Sequence, residues 1–431
     1  MPKPPPLTDE MLDTLQWVTF EYFQHEDNPD NGLIADKTQE GTPASIAAVG
    51  LALAAYPVGV ERGFLTREQA REKTLTTLRF FWNSPQGTEA DATGYKGFYY
   101  HFLDMQTGRR VWQCELSTID TVFLLAGMLT AQAYFTEDSE DDQEIRSLAD
   151  ALYRRVDWNW ARNDGATVTH GWKPECGFLP YRWNGYDEAL LLYVLGLGSP
   201  THPLPTESYP AWLSTYIWKK IYGHEFLYAG PLFIHQLSHV WIDFRGIQDA
   251  FMLDKGIDYF ENSRRATYVQ QQYAIQNPLE FEGYGEHCWG ITASDGPGWR
   301  THLIKGIERP FYGYYARGVP YGPDDGTISP WATAASLPFA PEIVLPTLRG
   351  FHDIALKIDH PYGFKASFNP TFPDGSGSEP GWGSPFYFGL NQGPIVLMIE
   401  NYRSGLLWRL MRKCPYLITG LRRAGFTNGW L

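Results

Sequence analysis

Charged side chains are scarce in this chain, at 19% of 431 residues, and basic ones are scarcer still: 35 Lys and Arg against 49 Asp and Glu, a formal charge of −14. That field repels polyanions, which excludes nucleic acid and anionic membrane surfaces as partners. Cysteine is sparse too. Cys114, Cys176, Cys288 and Cys414 stand far apart, with no CxxC and no metal-finger spacing, so they read as buried thiols and not as a disulfide framework. Long apolar runs are missing: the longest, Val122 to Phe135, is interrupted by Thr130 and Gln132 and is too short to span a membrane. The opening Met-Pro-Lys-Pro-Pro-Pro-Leu-Thr-Asp-Glu has no apolar h-region. As written the chain reads as cytoplasmic, or as periplasmic or secreted if an export signal has been removed. No P-loop, GxGxxG or GxSxG occurs, so nucleotide-binding and serine-hydrolase readings fall.

What the chain has in quantity is rings: 16 Trp, 26 Tyr and 25 Phe. Some must line a core, but so many rings among so few charges also suit a sugar-binding cleft. Apolar sugar faces stack on rings while the hydroxyls take polar partners. A hydrophobic fraction of 43% supports a full-sized core. No stretch has the composition of an interdomain linker, so residues 1–431 are expected to form one domain.

Periodicity predicts a mostly helical chain. Met11, Leu15, Val18 and Tyr22 fall at helical spacing behind a Thr8/Asp9 cap. Further helices are expected over 45–55, 66–81, 117–135, 143–156, 187–195, 211–222, 232–244, 247–260, 263–276, 341–354 and 393–411. Gly97 to Val111 reads as short strands around a turn at Thr107-Gly108, and the acidic run Glu137 to Asp142 as a solvated loop. The helices from Thr66 and Gln143 are amphipathic, whereas those from Ser117, Asp187 and Gly393 are apolar nearly all round, the mark of burial on every side. Alternating outer and inner helices, about six of each, fit an all-α (α/α)6 barrel, or toroid, with a short β-hairpin and long aromatic-rich loops.

Each of the three apolar helices begins with a polar cluster: Glu115-Leu-Ser-Thr-Ile-Asp120, Asn184-Gly-Tyr-Asp-Glu188 and Asn391-Gln392-Gly393. In a toroid these N-termini gather on one rim. Glycoside cleavage needs carboxyls in such a place, one to protonate the leaving oxygen and one to activate water. Capping accounts for part of the pattern: Ser117 to Asp120 fits a capping box, and Asp187 suffices to cap its helix. Glu188 is then left over beside Trp183 and Tyr186, rings that would desolvate it and raise its pKa.

His235, His239 and Asp243 are spaced by four and would share one helical face with Arg245 close by. That face could ligate a metal, but no Glu follows His235 as in HExxH. Hydrogen bonding to sugar hydroxyls, or a buried polar network, is the reading taken. In Asp258 to Arg265, two arginines beside Glu261 read as ion pairs that join helices. From Phe281 to Pro297 glycines alternate with Tyr284, Glu286, His287, Trp289 and Asp295, a loop with the makings of a binding site, although Asp295 before Gly-Pro also shapes a turn.

These segments, with Asp324 to Ile328, Tyr362 to Phe364 and Asn391 to Arg403, run in order across nearly the whole chain. Through Glu-Leu-Ser-Thr-Ile-Asp-Thr (Glu115 to Thr121), Gly-Tyr-Asp-Glu-Ala-Leu-Leu-Leu-Tyr (Gly185 to Tyr193), His-Gln-Leu-Ser-His-Val-Trp-Ile-Asp-Phe-Arg-Gly (His235 to Gly246) and Ile-Thr-Ala-Ser-Asp-Gly-Pro (Ile291 to Pro297), the chain resembles the bacterial glycoamylase-like proteins. That group holds glycoside hydrolase family 144 and its endo-β-1,2-glucanases. The resemblance implies an (α/α)6 barrel that hydrolyses β-linked glucan with inversion, most of all β-1,2-glucan. It puts the general acid on Glu188 and the acidic cluster on Asp120, with Glu115 nearby. The chain departs from the family at Asn391 and Ala366, where an Asp is expected. Asp120 is therefore the base of choice, and transfer to a sugar hydroxyl or glycan binding without catalysis are the alternatives. Expected sugar contacts are Trp183, Tyr186, His235, His239, Asp243 and Arg245, joined by Glu115, Tyr284, Glu286, Trp289, Trp382, Asn391 and Gln392. No metal or cofactor is called for, the partner is a glucan or gluco-oligosaccharide, and oligomeric state is left open.

Overall fold

The computed structural model describes residues 9–355, 361–373 and 381–431; Thr8 of the expected cap lies outside them. The chain opens with α1 (Asp9–Phe20), α2 (Tyr22–His25), α3 (Ile46–Arg62), α4 (Arg67–Asn83), α5 (Thr118–Tyr134) and α6 (Glu140–Arg154). It continues with α7 (Leu190–Gly198), α8 (Ser208–Leu213), α9 (Ala250–Lys255), α10 (Tyr259–Gln276) and α11 (Pro330–Ala335). The last are α12 (Pro341–Ala355), α13 (Gly389–Arg403), α14 (Leu406–Met411) and α15 (Pro415–Arg423). Among the described residues no helix is long and apolar enough to cross a membrane.

Capping decides where the inner helices begin. Ser45 accepts the Ala48 amide to open α3, and Ser117 accepts that of Asp120 at 3.2 Å to open α5. Thr66 and Gln69 form a full capping box at α4, each side chain meeting the other's backbone N–H. The box expected at Ser117 and Asp120 is only half made. Ser117 is a strand residue paired with Tyr99 and Gly171, so its backbone is taken by the sheet. The Asp120 carboxylate accepts the Ser117 hydroxyl instead, at 2.5 Å.

Helices α3, α5, α7, α11 and α13 are apolar along almost their whole length and buried all round. α3 packs on α5 and α13, α5 on α7, and α13 on α11, while α4 and α6 lie against α3 and α5 from outside. One apolar core runs from Leu12 to Phe426 through all of them. Helices α3 and α5 meet backbone to backbone. A Cβ on Gly127 would run into the Gly50 carbonyl, and one on Gly50 into the Phe123 carbonyl. Gly420 of α15 meets Val194 of α7 in the same way.

Several expected elements come out differently. The segment 211–222 splits into the end of α8 and a strand, Trp218–Ile221, which pairs with His224–Leu227. The segment 232–244 is two 3-10 turns, Leu232–His235 and Leu237–Val240, because Gln236 at their junction turns its side chain to Ala332 and Ser336. The α7 helix starts three residues later than expected, which leaves Glu188 in the turn before it. The 247–260 helix shrinks to α9, since Gly256 ends it with a left-handed φ of 70°. The acidic run is no loop at its end: Asp142 lies in α6, fully buried between Arg67 and Arg71. Cys176 is exposed and the other three thiols are buried and free.

Strands are also more numerous than one hairpin. Phe98–Tyr100 pairs with Gly94–Tyr95 and Leu116–Ser117 in a five-stranded antiparallel sheet completed by Gly171–Lys173 and Gly177–Phe178. Phe102–Leu103 leaves it to pair with Ala44–Ser45, and Leu103 bridges Arg110 across the expected turn. These short strands edge the ends at which α3 and α5 begin.

Gly127→Ala is expected to lower stability by about 2–3 kcal/mol through overpacking at the α3–α5 contact; urea unfolding of the variant beside wild type measures it. An unchanged midpoint would mean that the two backbones are not held in contact.

Candidate active site

A cavity of about 510 Å³ opens where these helices begin, a size ordinary for a small-ligand site. Its walls come from the starts of successive inner segments: Ser45 before α3, Asp120 and Phe123 of α5, Glu188 before α7, Phe233 and Leu237 of the 3-10 turns, Trp331 of α11, and Phe388 and Leu390 at α13. Asp36, His101, Glu115, Asp295 and Tyr314 complete the polar part of the lining.

On one wall His101 ties two acids together. Its Nδ1–H donates to Glu115 Oε1 at 2.9 Å, and its Nε2 lies 3.6 Å from Asp120 Oδ2. Burial alone would lower the His101 pKa, but Asp120, hydrogen-bonded Glu115 and Asp36 together outweigh it and hold it up to about 9. Glu115 is correspondingly held below its ordinary value: burial would raise it, and the His101 hydrogen bond and charge prevail. Burial raises Asp36 to about 6, against the pull of His101 and Lys37. The liganding atoms of His101, Glu115 and Asp120 lie within 4.8 Å of one another, close enough to surround a small cation. A protonated imidazole has no lone pair to give one, so at neutral pH the group is an acid–base cluster.

Asp187 Oδ1 accepts the Ala189 amide at 2.9 Å and the Trp212 indole N–H at 3.2 Å, which closes a turn ahead of α7 and is not the helix cap expected of it. Ser238 anchors the same turn, accepting the Leu191 amide and donating to the Glu188 carbonyl. The Glu188 carboxyl is left to the cavity. Burial, then the charges of Asp187 and Asp120, raise its pKa well above the carboxylate range. Trp183 is fixed beside it by its indole N–H on Thr118 Oγ1 at 3.0 Å, and stacks on His170 at 3.9 Å. Asp295 is held by the Ser384 hydroxyl at 2.8 Å.

The Glycoamylase family, described as "Putative glucoamylase", matches residues 180–415. A solved structure from Bacteroides uniformis ATCC 8492 with the same description is 33% identical, with TM-score 0.86 and 99% of each chain covered. The chain belongs to the glycoamylase family. A second family structure, the endo-β-1,2-glucanase from Chitinophaga pinensis in complex with sophorotriose and glucose, is 28% identical with TM-score 0.85, over 98% of this chain and 99% of that one. An exo-β-1,2-glucooligosaccharide sophorohydrolase (non-reducing end) of Parabacteroides distasonis is 29% identical over 97% of this chain. The chain spans 58% of that relative's length.

Of the residues singled out in the sequence, the family fold brings Glu115, Asp120, Trp183 and Glu188 together around the cavity. Ser117 and Asp295, from the polar cluster and the glycine-rich loop, line it too, and the other expected sugar contacts do not. His235 bonds the Ala229 carbonyl and His239 bonds Ser263; burial lowers both, to about 4 and about 3, so they are neutral core histidines. Asp243 is bound by Arg245 at 2.7 Å and by Arg412, and Arg245 lies over the Trp408 ring. With 3-10 turns in place of a helix, His235, His239 and Asp243 share no face. Tyr186 packs among Tyr216, His235 and Tyr259 behind the cavity. Tyr284 donates to Asp324, Trp289 is fully buried with its N–H on Thr347, and Glu286 is exposed. Trp382 sits in a strand against Asn369, Asn391 is buried, and Gln392 donates to the carbonyls of Tyr362 and Phe364. Sequence reasoning missed Asp36, His101 and Tyr314. A polar residue at or within an apolar run was the available signal for two of them, Asp36 after Leu-Ile-Ala and His101 inside Phe-Tyr-Tyr-His-Phe-Leu.

His101 is expected to titrate near 9 in histidine-selective NMR, and Asp120→Asn to move that midpoint downward. Any stability its charge contributes is complete below about 6.5 and is lost as pH rises through about 9. A midpoint near 6.5 in the wild type would dismiss the cluster.

Proposed function

We propose that this chain is a glycoside hydrolase that cleaves β-1,2-linked glucan or its oligosaccharides by an inverting acid/base mechanism, in a single (α/α)6 domain. The observation that carries the reading is a carboxyl with raised pKa, Glu188, lining the same ring-walled cavity as Asp120. Family membership and the β-1,2-glucan activities of the Chitinophaga and Parabacteroides relatives support the substrate. Six buried segments, α3, α5, α7, the 3-10 pair, α11 and α13, whose starts all line one cavity, support the toroid.

In this mechanism Glu188 donates its proton to the glycosidic oxygen as the bond to the anomeric carbon breaks. Asp120 takes a proton from the water that attacks that carbon from the opposite side. The Ser117 hydroxyl and the His101 ring hold the Asp120 carboxylate in place, and Trp183 offers its face to the sugar. Asn391 and Ala366 both lie outside the cavity lining, so the two departures from the family pattern remove no carboxyl from it. That favours hydrolysis over transfer or loss of catalysis.

Product analysis on linear β-1,2-glucan, laminarin and starch tests the reading with wild type and Glu188→Gln. Oligosaccharides are expected from the β-1,2 substrate alone, about a hundredfold or more slower in the variant, with the α-anomer formed first in NMR. Products from another glucan only, or an unaffected variant, would refute it. Because Glu188 must be protonated and its pKa is raised, activity should persist above the ordinary carboxylate range and fall on the alkaline side as Glu188 ionises; a pH–rate profile reads that limb.

A further inference from the structure

Ala293, Asp295 and Tyr314 reach the cavity from a single loop. It departs at Ala293–Ser294 and returns at Tyr315–Ala316, the two segments pairing antiparallel. Outside the rim this loop carries three rings packed on one another: Trp299 lies 5.4 Å from Tyr312 and 5.3 Å from Tyr315, and those two lie 4.9 Å apart. Rings that pack together usually leave the solvent. These do not, for Trp299 is 66% and Tyr315 38% exposed.

The stem that carries Tyr312 and Tyr315 is fixed. Arg317 is wholly buried and donates to the carbonyls of Ser294, Tyr312, Gly313 and Tyr315, while its guanidinium pairs with Asp325 at 2.7 Å. Gly313 leaves room for the indole, since a Cβ there would stand 3.2 Å from Trp299 Nε1. An exposed aromatic surface fixed in advance loses little freedom when a ligand settles on it.

We propose that Trp299, Tyr312 and Tyr315 form an outer sugar-binding surface, onto which a β-linked glucan chain longer than the cavity continues. The proposal rests on the reading of the cavity as a glucan-cleaving site. Its occupant follows from continuity: Tyr314 separates Tyr315 from Gly313 in the chain and itself lines the cavity, so a chain leaving past Tyr314 meets these rings next. Sugar rings present apolar faces that stack on indole and phenol.

The test is the ratio of kcat/KM on long linear β-1,2-glucan to that on the β-1,2-linked trisaccharide. Trp299→Ala is expected to lower the ratio about tenfold, roughly what one stacked ring contributes, and Trp299→Phe to restore most of it. An unchanged ratio overturns the proposal. Affinity electrophoresis in gels containing β-1,2-glucan, laminarin or starch reads the surface without catalysis, using Glu188→Gln with and without Trp299→Ala. Retardation that the second substitution abolishes supports the outer surface, and equal or absent retardation overturns it. Failure of wild type to cleave any glucan would instead sink the hydrolase reading, while the gels still decide on the surface. Light scattering that shows a dimer broken by Trp299→Ala, with the ratio unmoved, would assign the rings to a second copy of the chain and overturn the proposal.

Discussion

Contact between two helix backbones, without side chains between them, sets the geometry of this protein. Gly50 and Gly127 let α3 and α5 touch, and because both helices start at the cavity, their Ser45 and Ser117 caps are brought to the same rim. Side-by-side helices that begin at one end need a return path, which the outer helices α4 and α6 provide. Loosening that contact would separate Asp120 from its neighbours even with every polar residue in place. Helix N-termini carry partial positive charge, so gathering several of them around one space also makes it a tolerable place for carboxyls in a chain of net charge −14.

Those carboxyls do not behave alike, and environment separates them. Asp187 is consumed by the backbone and by Trp212, and Glu115 by His101. Glu188 has burial and two neighbouring negative charges to favour its proton, whereas Asp120 takes the Ser117 hydroxyl and lies 3.6 Å from His101. Acids placed in such different surroundings within one cavity are what acid/base work at a single pH calls for.

Much of this was legible in the chain itself. The apolar sequences of α5, α7 and α13 identified buried helices, and of the adjacent acids Asp187 and Glu188 the one singled out, Glu188, lines the cavity. The misreadings have local causes. Spacing by four implied a helical face at His235, His239 and Asp243, but Gln236 found partners on α11 and the backbone turned tighter. Asp142 looked solvated because Arg67 and Arg71, which bury it, come from a different helix. His101 and Asp36 carry no motif; only the tertiary fold brings them beside Asp120, and nothing in their local sequence encodes that distance. Asp295 was open to two readings, binding loop or turn, since the Ser384 that orients it is 89 positions away.

Arg317 holds both stems of the loop that bears Asp295 and Tyr314, and every one of its bonds falls on Ser294, on residues 312–315 or on Asp325. The hairpin Arg300–Phe311 takes none of those bonds; it is held from another side, where Arg309 donates to the Leu279 and Glu280 carbonyls and Phe311 packs on Phe372. One loop thus has two separate anchorages, so that a change which loosens the hairpin need not shift the wall of the cavity.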